Sequence, residues 1–136
     1  MEQITVPART DCLDEVFSLV ESAAQTAGID VSQQNNIKIA VEEIFVNIAS
    51  YAFPTGEGEV SVSVAAGSEK LSVEFSDSGM PYNPLSKTDP DTSLPADERE
   101  IGGLGIFMVK NMMDSVRYRY ENGKNILTIE KIGGIA

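Results

Sequence analysis

Ile4 and Val6 alternate with polar neighbours and stop at Pro7, the two-residue period of a short first strand. The period then changes. From about Asp11 to Ala27, Leu13, Val16, Phe17, Val20 and Ala24 recur at helical spacing, and Gly28 reads as the stop. A second helix is predicted from near Ser32 to about Ala52, broken by Phe53-Pro54-Thr55-Gly56. Alternation returns in two hairpins. A two-residue turn at Gly67-Ser68 sets Val64 opposite Leu71, Val62 opposite Val73 and Val60 opposite Phe75, with the serines of the first strand on the other face. In the second hairpin Asn122-Gly123 is the pattern of a type I′ turn, pairing Tyr118 with Leu127, Val116 with Ile129 and Glu121 with Lys124. Both hairpins are apolar on one face only. The expected fold class is therefore α+β: a two-layer α/β sandwich whose mostly antiparallel mixed sheet is covered on one face by about three helices.

Composition narrows what such a sandwich does. A chain of 136 residues suits one domain, expected to span 1–136, and 42% hydrophobic with 23% charged residues is an ordinary globular balance. No apolar run reaches the length of a membrane span, and the first nine residues lack the layout of a secretion signal, so a cytoplasmic protein without membrane contact is expected. The net charge of −11 repels phosphate backbones, which argues against nucleic acid as a partner. A small phosphorylated ligand stays compatible if backbone N–H groups and a divalent cation supply the positive charge. The absence of histidine excludes His-based triads and a phosphohistidine acceptor in this chain, and the single Cys12 excludes an internal disulfide.

Three stretches carry candidate chemistry. On the second helix, Ile37, Val41, Ile44 and Ile48 form one apolar stripe, and Ile39 with Val46 a second. Lys38 and Glu42 fill one gap between them. Asn36, Ala40, Glu43 and Asn47 fill the other, with Tyr51 one turn further on. A carboxylate and an amide one turn apart suit a hydrated Mg²⁺ and a hydroxyl that must lose a proton; they equally suit a second exposed polar strip. In Leu71-Ser-Val-Glu-Phe-Ser-Asp77 the odd positions share the core side, so Asp77 points inward, where Gly58 is expected opposite it and Gly79 follows. It is suited to accept from a ligand amino group or to cap its own Asp-Ser-Gly turn. The third stretch, Gly102-Gly103-Leu104-Gly105-Ile106, leads into a helix through Phe107, Met108, Val109, Met112 and Met113. Glycines there let backbone N–H groups approach an anion, or serve as a hinge. Between strand and helix, Ser78 to about Gly103 is rich in Pro, Asp, Ser and Gly without a period, the composition of a lid over a site or of a plain surface loop.

Taken in order, a helical Glu-x-x-x-Asn-x-x-x-Tyr, a strand-ending Asp-x-Gly-x-Pro, a long loop and Gly-Gly-Leu-Gly-Ile on a helix start resemble the GHKL ATPase and kinase superfamily, with its Bergerat-type ATP-binding fold. The likeness covers nearly the whole chain and is nearest to the anti-sigma-factor serine/threonine kinase branch. It implies that Glu43 is the general base and Asn47 the Mg²⁺ ligand, with Tyr51 continuing that face of the site. It further implies that Asp77 accepts from the adenine amino group, that Gly79 makes room beside the base, and that Gly103 and Gly105 lie against the phosphates of ATP or ADP within the run Gly102 to Ile106. Residues 84–101 would form the lid. Pro81 stands where many members of the wider superfamily carry a second glycine, which points away from sensor kinases. The implied activity is phosphoryl transfer to a serine or threonine of a STAS-type anti-anti-sigma protein, with a sigma factor as second partner and a homodimer as the working form. The alternative is a nucleotide-binding protein-interaction module without kinase activity.

Overall fold

Alternating burial on five segments makes one sheet, and helical periodicity on three others supplies its cover. The computed structural model describes residues 2–51, 53, 58–68, 70–81 and 103–132, with the side chains of Tyr51 and of residues 103–107 outside that description. The strands are β1 (Glu2–Pro7), β2 (Glu59–Gly67), β3 (Lys70–Asp77), β4 (Ser115–Glu121) and β5 (Lys124–Ile132); the helices are α1 (Leu13–Thr26), α2 (Val31–Tyr51) and α3 (Gly103–Met112). The sheet order is β1-β2-β3-β5-β4, and each of these ladders is antiparallel. On the covered face Val60, Val62, Leu71, Val73, Phe75 and Ile129 are fully buried against α1 and α2. Each such side chain contributes about 1.5–3 kcal/mol through removal from water. The other face is polar: Thr5 and Ser61 share a hydrogen bond of 3.0 Å, and Glu130 pairs with Lys70 and Arg117.

The second hairpin matches the sequence reading pair for pair. Asn122 and Gly123 adopt φ of 54° and 76°, as a type I′ turn demands, and Tyr118 faces Leu127, Val116 faces Ile129, Glu121 faces Lys124. The first hairpin departs from it. Val60 faces Asp77, Val62 faces Phe75, Val64 faces Val73 and Ala66 faces Leu71, so the ladder is displaced by two residues and closes between Gly67 and Lys70 rather than around Gly67-Ser68. A shift of two leaves every side chain on its expected face, so hydrophobic alternation is blind to it. Gly67 remains extended within β2 instead of supplying the left-handed conformation of a turn. Val60 rather than Gly58 therefore stands opposite Asp77. Gly58 serves another purpose: its carbonyl accepts from the Ala8 N–H at 2.8 Å, and a Cβ there would overlap the Phe53 ring.

Helix ends position the site-bearing helix. α1 is preceded by a short 3-10 turn, Thr10–Cys12, so the regular helix starts two residues later than expected, with Cys12 buried in that turn. It closes at Gly28 in a Schellman arrangement: Gly28 N–H donates to Gln25 at 3.1 Å and Ile29 N–H to Ala24 at 3.1 Å, with Gly28 at φ 74°. Two residues later Asp30 caps α2, accepting from Gln33 N–H at 3.1 Å and Ser32 Oγ at 2.7 Å. These bonds hold its carboxyl below the usual carboxylate range, the Ser32 hydroxyl chiefly. α2 then runs between α1 and α3, packed on both.

Candidate functional site

The α2 stripe of Ile37, Val41 and Ile44 is buried in the core, joined by Ala40 and Phe45, with Ile48 half-buried beyond it. The second stripe does not enter the core, since Ile39 is 44% exposed and Val46 half-buried. Lys38 is not simply solvated: its ammonium lies 2.9 Å from Glu21 and 5.1 Å from the centre of the Phe17 ring, tying α2 to α1. Glu42 is exposed as expected.

Glu43 and Asn47 differ from an exposed polar strip. Asn47 is only 7% exposed, and its Nδ2 donates to the Glu43 backbone carbonyl at 2.9 Å. A carbonyl only accepts, so the amide nitrogen is fixed on that side. The carbonyl oxygen of Asn47 then takes no hydrogen bond among the described residues and is left for a cation or a donor. Glu43 is half-buried, and burial, with the nearby Glu42 charge second, pushes its carboxyl above the usual range. Half-buried and raised in this way, the carboxylate has the character of a proton acceptor.

Asp77 ends β3 at 5% exposure on the face that the helices cover, between Val60 on β2 and Asn125 on β5. Both of its hydrogen bonds arrive at one oxygen: Gly79 N–H donates to Oδ1 at 2.9 Å, and Asn125 Nδ2 to the same atom at 3.0 Å. The turn-capping role is thus realised, and it occupies Oδ1 alone. Oδ2 carries neither bond. Gly79 is half-buried, and Pro81 is exposed just beyond it.

The third stretch falls on the first turn of α3, which begins at Gly103 and includes Leu104, Gly105 and Ile106. Gly103 and Gly105 are therefore helical rather than a flexible lead-in. Val109 and Met113 enter the core, whereas Met108 is 39% exposed and does not continue that stripe. Gly102 and the lid expected at 84–101 lie outside the described residues, as does the side chain of Tyr51. Just beyond α3, Asp114 pairs with Lys131 at 3.8 Å and accepts from the Ile132 N–H at 2.7 Å.

α2, which carries Glu43 and Asn47, packs against α3, and Asp77 lies on the sheet face that the helices cover. Sequence reasoning missed Asn125 and Tyr118. Asn125 is buried, bonds to Asp77, and receives the Tyr118 hydroxyl on its Oδ1. The signal was present: with the Asn122-Gly123 turn fixed, Asn125 falls in the inward register of Leu127 and Ile129, a polar residue in an apolar row. Among the described residues no group of three or more acidic or cysteine side chains is placed to hold a metal ion, and no helix is long and apolar enough to cross a membrane.

The profile of the histidine kinase-like ATPase domain matches residues 6–131. The chain belongs to that family. It is similar to the serine-protein kinase RsbW of Listeria monocytogenes, at 28% identity over 95% of this chain and 85% of the relative, and to RsbW of Bacillus cereus, at 23% over 96% and 84%. Among solved structures, the catalytic domain of the histidine kinase ThkA superposes with a TM-score of 0.57 at 13% identity, each chain fully covered. The RsbU and RsbW domains of a Mycobacterium tuberculosis protein superpose with 0.56 at 14%, covering this whole chain and 35% of that one. These neighbours share the fold, and the expected α+β class agrees with them. The reading of the chain as a kinase-type ATPase domain agrees with its named relatives.

Proposed function

We propose that this histidine kinase-like domain is an ATP-dependent serine/threonine protein kinase that acts as an anti-sigma-factor-type switch by phosphorylating a STAS-type antagonist. The observation that carries the reading is the pairing on α2 of a half-buried carboxyl, Glu43, pushed above its ordinary range, with the buried Asn47 amide one turn away. Glu43 accepts the proton of the attacking serine hydroxyl, and its raised proton affinity improves that transfer near neutral pH. Asn47 offers its carbonyl oxygen as one hard ligand to Mg²⁺. The donor set fits a cation that brings most of its ligands with it, since the chain supplies no acidic cluster among the described residues and Mg²⁺ is usually held by few protein groups plus phosphates and water. When bound, Mg²⁺ neutralises charge on the phosphates. Asp77 receives the adenine amino group on Oδ2, beside Gly79, and the N-terminal turn of α3 from Gly103 through Gly105 turns backbone N–H groups to the phosphates. This meets the condition set by a net charge of −11, because no cluster of basic side chains is required. A homodimer, and a sigma factor as the partner released or held by the switch, complete the proposal.

The test is incubation with γ-labelled ATP, Mg²⁺ and a STAS-domain protein. Label is expected on a serine or threonine of that protein, and Glu43→Gln is expected to keep nucleotide binding while transfer falls by about 10²–10⁴-fold. Equal transfer by the variant would remove Glu43 as base. ATP binding without any transfer would leave a nucleotide-sensing interaction module in place of a kinase.

A further inference from the structure

Asn125 and Tyr118 belong to none of the stretches that carry the proposed function, yet both converge on its purine end. Asn125 is 6% exposed, on the covered face of β5, in the cross-strand row of Val60, Asp77 and Tyr120. Its Nδ2 donates to Asp77 Oδ1 at 3.0 Å and to the Met80 carbonyl at 2.8 Å. Carboxylate and carbonyl oxygens only accept, so this side of the amide must be the NH₂, and the orientation is dictated by its partners. The Tyr118 hydroxyl meets the opposite side, Oδ1 of Asn125, which only accepts; tyrosine is therefore the donor. The hydroxyl locks the amide from behind.

We propose that Asn125, locked by Tyr118, is a positioning residue that presents Asp77 with one oxygen spent and the other open, and thereby makes the site select purines bearing an exocyclic amino group. The proposal rests on the reading that Asp77 meets the base. Asn125 and the Gly79 N–H together place two donors on Oδ1, which fixes the carboxylate plane and leaves Oδ2 as a pure acceptor. A ligand group seated on Oδ2 must donate. The adenine amino group does; the keto oxygen that replaces it in hypoxanthine instead faces the carboxylate with like partial charge. The bond from Nδ2 to the Met80 carbonyl also staples the segment after β3 to β5, so that Gly79 stays beside the carboxylate it bonds.

The test is a titration of ATP and of inosine triphosphate against the wild type, Asn125→Leu and Tyr118→Phe, with thermal unfolding run on each to show that it folds. Wild type is expected to prefer ATP by at least about tenfold. Asn125→Leu is expected to weaken ATP about tenfold, with little effect on inosine triphosphate, so that the preference collapses. Tyr118→Phe moves the ratio the same way by a smaller factor and carries the test alone if Asn125→Leu does not fold. A general loss of packing would weaken both nucleotides alike. Folded variants with an unchanged ratio would overturn the proposal while leaving Asp77 as the purine contact. Wild type without a preference would overturn the Asp77 reading beneath it, and the proposal with it.

Discussion

Glu43 is where the chemistry and the stability of single residues meet. Burial and the neighbouring Glu42 raise its proton affinity in the folded state relative to the unfolded chain. Its charge therefore costs stability progressively as pH climbs from the ordinary carboxylate value through the raised one, and the full cost is present at neutral pH. Glu43→Gln is expected to melt above the wild type at neutral pH, with the difference vanishing in acid below the ordinary carboxylate range; thermal unfolding across pH measures it. A variant melting lower at neutral pH would show that the carboxylate is paid for by partners not accounted for. At this scale much of the site was legible: helical spacing put Glu43 and Asn47 on one face, and alternation turned Asp77 inward. The inward register of Asn125 was legible too, but its contact with Asp77 was not, because that depends on β5 lying beside β3, a matter of sheet order that local spacing does not encode.

At the scale of elements, turn chemistry decided what could be read. The Asn-Gly pair has one good conformation, and the register of β4 with β5 followed from it. Gly67-Ser68 has no such restriction, and the β2–β3 ladder settled two residues away with every face preserved. The same logic applies where α1 hands over to α2. Gly28 sits at φ 74° with open space where a Cβ would go, so Gly28→Ala strains the backbone without a clash. It is expected to destabilise the fold by about 1–2 kcal/mol, read from denaturant unfolding. A neutral result would mean that the Schellman closure does not fix the approach of α2.

For the molecule as a whole, a single layer of helices over an antiparallel sheet gathers groups from α2, β3 and β5 on one side, while the polar reverse face is tied by its own ion pairs. The family match over residues 6–131 places that architecture among histidine kinase-like ATPase domains. What remains specific to this chain is whether its buried carboxylate reads a purine. Calorimetric titration with ATP and Mg²⁺ addresses this most directly: saturable heat is expected from the wild type and its loss, by at least about tenfold in affinity, from Asp77→Asn. Absence of heat and of any thermal shift in the wild type, or equal binding by the variant, would contradict the account.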